Sequence, residues 1–166
     1  MIFVGIACRK KDFDAIQKKK KKNNQCKEIQ CICVQNENIE NLQNIKFDAF
    51  VIHEQMSFVN NTKALEKIFS TLNFLIINTD KNKKLDILNG TRLTVITYGL
   101  NHKCTVTASS IKDDNIIVAL QRDVLNKFGI VREIGEKRIE VKNNLDVYSY
   151  MLIFIIQILY CKNIEY

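Results

Sequence analysis

Phe74-Leu-Ile-Ile-Asn78 constrains this chain more than any other segment. Four apolar residues in succession leave no face for water, so the run reads as a strand buried on both sides, as in a parallel sheet covered by helices. Its polar close, Asn78-Thr79-Asp80, then falls at the carboxyl end of the strand, the edge at which open α/β sheets hold their ligands.

The remaining punctuation agrees with that layout. Ile2 to Ala7, Glu28 to Val34 and Ala49 to His53 read as further buried strands, and Leu93 to Tyr98 as a fifth. Helices are expected from about Asp12 to Asn24, from Asn36 to Ile45 with Asn36 or Asn38 as its cap, from Asn61 to Leu72, and from Asp80 to Leu88 with Asn89-Gly90 as its stop. Such βαβ alternation implies right-handed crossovers. The pattern then changes: Thr105 to Ile111, Ile116 to Arg122 and Arg132 to Val141 are strand-like runs separated by Asp113-Asp114-Asn115 and Gly135-Glu136. Val147 to Cys161 is the most apolar stretch, shorter than a membrane span and interrupted by Gln157, so it reads as a buried packing helix. The expected fold is therefore α/β, a parallel sheet of about five strands flanked by helices, followed by a small antiparallel meander and a buried C-terminal helix, all in a single domain over residues 1–166.

Asn78-Thr79-Asp80-Lys81, then Thr97-Tyr98-Gly99, then Val106-Thr-Ala-Ser-Ser-Ile111, follow one another in the order seen in a known family. Phe47-Asp48-Ala49-Phe50-Val51-Ile52 precedes them, the helix from Ala64 to Leu72 leads into them, and Asp146-Val147-Tyr148-Ser149 opens the long apolar helix after them. As an ordered set over roughly residues 45 to 164, these segments resemble the central, ATP-binding domain of the Mur ligases, which join amino acids to a peptidoglycan precursor, and of relatives such as folylpolyglutamate synthetase. The resemblance implies a nucleotide-site scaffold.

The departures remove most of that site. The family's phosphate cradle is rich in glycine and carries Lys-Thr, because glycines let successive amides face the phosphates while Lys and a hydroxyl hold the γ-phosphate and magnesium. The corresponding turn here is Gly5-Ile-Ala-Cys-Arg-Lys-Lys-Asp12-Phe13, with Asp12 where Lys is required, and a carboxylate aimed at polyphosphate is repulsive. Where the family has Thr-Asn and then Asp-His-Leu-Asp, this chain has His53-Glu54 and Gln55-Met-Ser-Phe58. The family's metal-holding lysine falls on Leu65, between Lys63 and Lys67, and its adenine-contacting His-Asn on Leu145-Asp146. The chain ends at Tyr166, where the family's third domain would begin, so the expectation is a degenerate central domain alone.

Composition fits an intracellular protein. A hydrophobic content of 46% is ordinary for a globular fold, and the six cysteines, without a signal sequence, read as reduced thiols. Cys31-Ile-Cys33 puts two sulfurs on one face of a strand; with Cys26 and His53 they raise a zinc site, which the missing two-residue gap argues against, and no metal is expected. The net charge of +7 and the run Lys18 to Lys22 raise a nucleic-acid role. Against it, the lysines are not interleaved with stacking aromatics, and abundant Lys, Asn and Ile without Pro or Trp is what codon bias in an AT-rich genome produces. The lysine run is expected to face solvent.

The expected function is a non-catalytic, Mur-ligase-like binding or regulatory module of the bacterial cytoplasm, tied to cell-wall precursor metabolism, with a protein or small-molecule ligand, no membrane span and scope for a homo-oligomer. Ligase activity is not expected. The alternative is a nucleotide binder or ligase-related enzyme with a remodelled site at the strand ends, drawn from His53, Glu54, Asn78, Asp80 and Asp146; only there would ATP and magnesium serve as cofactors. A basic nucleic-acid-associated protein is the third reading. Each candidate also has a plainer role: His53 as a hydrogen-bonded crevice histidine, Asp80 as a helix cap, His102 as an exposed turn residue, Tyr148 and Tyr150 as packing against the meander.

Overall fold

The computed structural model describes residues 1–22, 28–55, 61–82, 93–141 and 145–162. The chain divides into two compact units, one of Met1–Asp14 and Glu28–Ile96, the other of Ala15–Lys27 and Thr97–Tyr166. Among the described residues no helix is long and apolar enough to cross a membrane.

The first unit is the parallel layer. Its strands are β1 (Ile2–Ala7), β2 (Ile29–Val34), β3 (Ala49–Ile52), β4 (Phe74–Asn78) and the start of β5 (Thr94–Tyr98), in the order β5-β4-β3-β1-β2. Pairing is parallel from β2 through β4, with Ala7 beside both Val34 and Ile52, and Ile52 beside Ile77. Helices α1 (Lys10–Lys22), α2 (Ile39–Leu42) and α3 (Thr62–Phe69) supply the crossovers; α1 begins in this unit and continues into the second. On one sheet face Ala7, Val34, Phe50, Ile52, Leu75 and Ile77 form a core with Ile39 of α2 and Leu65, Ile68 and Phe69 of α3. Ala64, Leu65, Ile68 and Phe69 recur at helical spacing and are buried, while Lys63, Glu66 and Lys67 on the other face are exposed. Phe50 lies edge-on to Phe47 and Phe69, at 6.3 and 5.4 Å between ring centres. Gly5 makes room for it: a Cβ there would stand 2.9 Å from Phe50 Cδ2 and 3.3 Å from Phe47 Cε1.

The second unit holds the antiparallel part. Tyr98 at the end of β5 pairs in parallel with Val106 of β6 (Val106–Ile111). Antiparallel pairs then join β6 to β7 (Asn115–Leu120) and β7 to β10 (Gly135–Glu140), with an irregularity between Ala108 and Ser110. Between β7 and β10 the chain makes a separate hairpin, β8 (Val124–Leu125) with β9 (Val131–Arg132). Helix α4 (Val147–Tyr160) is buried from Ser149 onward and packs on β6 and β7. It carries its own end caps. Asp146 Oδ1 accepts from Ser149 N at 2.8 Å, and the buried Arg132 donates to the carbonyls of Ile158 (3.3 Å), Lys162 (2.9 Å) and Cys161, where the helix dipole is negative.

The fold class agrees with the sequence reading, and the differences are local. The single strand expected from Arg132 to Val141 is two, β9 and β10, because Asp123 Oδ1 holds Ile134 N at 3.0 Å and turns the chain between them. Helix α1 starts at Lys10, ahead of Asp12, and α2 is one turn long. Asn38 precedes α2 without capping it: its Oδ1 accepts from Gln35 N at 2.8 Å and its Nδ2 donates to Cys33 O at 3.0 Å. Of the helix expected from Asp80 to Leu88, Thr79 to Lys81 form a turn and residues 83–92 lie outside the described ones. The lysine run differs in part. Lys18 is exposed, but Lys19 is half-buried with its Nζ 5.2 Å from the centre of the Tyr150 ring; the side chains of Lys21 and Lys22 lie outside the described ones. Cys8, Cys31, Cys33 and Cys104 form no disulfide, whereas Cys161 is disulfide-bonded, against the expectation of six reduced thiols.

Candidate functional site

The carboxyl ends of β1, β3 and β4 meet in the first unit, and each contributes polar groups there. After β1 the chain turns through Cys8 and Arg9 alone before α1 begins; Asp12 N and Phe13 N already donate to Arg9 O, at 3.0 and 3.1 Å. A phosphate-wrapping loop needs several consecutive free amides between strand and helix, and a two-residue link has no room for them. Gly5, which the resemblance puts at the head of such a loop, lies inside β1 and makes room for Phe50. Asp12, at the position of the missing lysine, accepts from Arg9 Nε at 2.7 Å.

His53 and Glu54 follow β3. Their backbone amides both donate to Ala7 O, at 3.1 and 3.2 Å, which fixes the end of β3 against β1 and sets His53 abreast of Cys8. The His53 side chain is fully buried. Asn78, also fully buried at the end of β4, donates from Nδ2 to His53 O at 3.1 Å, and its Oδ1 accepts from Asp80 N at 3.2 Å. Asn82 closes the turn, donating to Asn78 O from N (3.0 Å) and Nδ2 (2.9 Å). The carboxamide of Asn78 thus ties one strand to its neighbour and starts its own Asx-type turn.

Charge at this edge is balanced internally. Glu54 forms an ion pair with Lys81 through Oε1, and Arg9 Nη2 lies 3.8 Å from the same oxygen while its Nε holds Asp12. Two carboxylates and two cations, Glu54 and Asp12 with Lys81 and Arg9, leave no net positive charge to attract a polyphosphate.

His53, Glu54, Asn78 and Asp80 thus lie together at the carboxyl ends of β3 and β4, joined through the Asn78 carboxamide and the shared Ala7 carbonyl. Asp146 belongs to the second unit, where it is the N-cap of α4. His102 is an exposed turn residue, as expected. In Thr97-Tyr98-Gly99, Thr97 and Thr105 clasp each other, each hydroxyl accepting the other's amide (3.3 and 3.0 Å), and Tyr98 is fully buried.

Sequence reasoning missed Arg9, Lys81, Asn82 and the partnership of Cys8 with Cys33. The Cys33 thiol donates to Cys8 O at 3.8 Å, across the two neighbouring strands. Burial is the main reason both hold their protons above the ordinary thiol range. Alternation along β2 drew attention to Cys31 with Cys33, but the contact is across strands. Among the described residues no group of three or more His, Cys, Asp or Glu is arranged to hold a metal ion. Comparison of the chain with known protein families and with curated proteins finds no match.

Proposed function

We propose that this chain is a non-catalytic binding module on a Mur-ligase-like central-domain scaffold, acting in the bacterial cytoplasm without a nucleotide. The observation that carries the reading is the two-residue link Cys8-Arg9, with a helix beginning where a phosphate cradle would have to wrap. The balanced cluster of Glu54, Asp12, Lys81 and Arg9 supports it, since a polyphosphate would have to displace existing ion pairs. Surface for a partner is present instead: Leu125, Phe128, Ile130, Val131 and Ile134 are all exposed on and around the hairpin of the second unit. The tie to cell-wall precursor metabolism rests on the order of the motifs.

Calorimetric titration with Mg-ATP tests the reading. Each charge-assisted contact in a Walker-type site is worth roughly 1.5–3 kcal/mol, so losing three takes a micromolar site to about millimolar, and no saturable binding is expected below about 1 mM. The second reading, a nucleotide binder with a remodelled site, is favoured by one observation: His53, Glu54, Asn78 and Asp80 gather where parallel sheets bind ligands. A micromolar dissociation constant lost in Asp80→Ala, yet unaffected by changes at Lys10 and Lys11, would establish it in place of the first.

A further inference from the structure

Cys8 follows the last residue of β1, and Cys33 lies one residue short of the end of the neighbouring parallel strand β2. Register brings them together: Ile6 pairs with Cys33 and Ala7 with Val34, so Cys8 and Cys33 stand diagonally adjacent at the carboxyl edge. Both thiols are free, and the Cys33 thiol donates to the Cys8 carbonyl at 3.8 Å. Cys8 is fully buried and Cys33 half-buried, so the pair is closed on one side and approachable from the other.

The surroundings discriminate between two kinds of thiol chemistry. Burial is the largest influence holding both protons in place; Asp12 and Glu54 add to it at Cys8, whereas at Cys33 the neighbouring Lys10 acts the other way and outweighs Asp14. Burial of this kind suppresses the free thiolate that disulfide exchange requires. A soft cation overcomes it by bonding to the sulfurs directly, which makes the metal-bound thiolates the favoured form. Tetrahedral zinc needs more donors than the described residues assemble here, whereas soft d10 ions accept two sulfurs.

We propose that Cys8 and Cys33 form a two-coordinate site for a soft, thiophilic monovalent cation, Cu(I) or its analogue Ag(I), held between the two sulfurs at the carboxyl edge of β1 and β2. Binding breaks two S–H bonds, forms two metal–sulfur bonds and releases two protons to solvent, with no change of oxidation state. The resulting dithiolate complex carries one negative charge, and Lys10, which already favours the Cys33 thiolate, stands at the same edge to offset it. The site lies beyond the binding-module reading and does not depend on it.

Anaerobic titration of the full chain with Cu(I), against a chromogenic Cu(I) chelator, should show one tightly held equivalent. Cys8→Ser and Cys33→Ser should each weaken it about 100-fold or more, since each removes one of two metal–sulfur bonds, while Cys31→Ser and Cys104→Ser leave it unchanged. Because Cys8 is buried, a second readout uses the native sequence: one equivalent of Ag(I) should slow alkylation of Cys33, followed by mass spectrometry, by about tenfold or more. Undiminished affinity in Cys33→Ser, or an alkylation rate at Cys33 indifferent to the cation, overturns the proposal.

Discussion

Gly5 and Cys8 show how single positions decide what the end of β1 can be. The Phe50 ring lies where a side chain at residue 5 would project, and Phe47 and Phe69 brace that ring, so it cannot retreat. Gly5→Ala gains about 0.5–1 kcal/mol from the less flexible unfolded chain and loses about 1–3 kcal/mol to overpacking. Overpacking wins, and the melting temperature should fall by roughly 2–8 °C. Combining it with Phe50→Leu should recover part of that loss; additive costs in a double-mutant cycle would show that the ring is not the obstacle. At Cys8 the folded protein keeps a proton that the unfolded chain gives up near pH 9.0. A group whose pKa is raised on folding stabilises fully below its unfolded value and loses that contribution as pH rises beyond it. Urea midpoints should therefore decline from about pH 9 upward, and Cys8→Ala should decline less steeply over the same window.

At the scale of the element, α1 and α4 carry the next tests. Asp146 caps the first turn of α4 at 2.8 Å, and Asp146→Ala should cost about 1 kcal/mol, read as a lower urea midpoint with an unchanged slope. Had Asp146 instead served a ligand site alone, its removal would leave stability intact. Replacing Lys18 to Lys22 with Gln should lower the melting temperature by a few degrees at most: Lys19 loses a cation–π contact worth about 0.5–1 kcal/mol at a partly exposed site, and relief of like-charge repulsion along α1 offsets part of it. Elements with strong period or continuous burial were legible beforehand: Phe74 to Asn78, Ala49 to Ile52 and Val147 to Tyr160 fall almost where their apolar runs do. The hairpin of β8 and β9 was not, because two residues carry no periodicity. Its closure depends on Asn126, whose Oδ1 accepts from Phe128 N and Ile130 N at 2.9 Å each, around Gly129 at φ 74°. Of the candidate site, Asn78 and Glu54 were visible as polar residues closing apolar strands. Their partners Lys81 and Arg9 were not, since an ion pair between residues 27 apart leaves no local trace.

For the whole molecule the dominant sequence-level quantity is charge. A formal +7 predicts retention on polyanion matrices at low salt whatever the biological role. Such retention should fall steeply between about 0.05 and 0.2 M salt and respond to the number of lysines removed, not to their position. A sharp dependence on one nucleic-acid sequence at constant salt would contradict this and restore the nucleic-acid reading.

Each compact unit is assembled from two separate stretches of chain, and α1 passes from one to the other near Asp14 and Ala15. During synthesis this becomes a matter of waiting. The first turn of α1 has its strands available once β4 is made, but Lys19 must wait for Tyr150, made about 130 residues after Lys19 itself, on the order of 10 s at typical ribosomal rates. For that interval a stretch of consecutive lysines precedes its packing partner out of the ribosome, and the nascent chain carries its most basic segment among acidic RNA before α4 arrives to cover any of it.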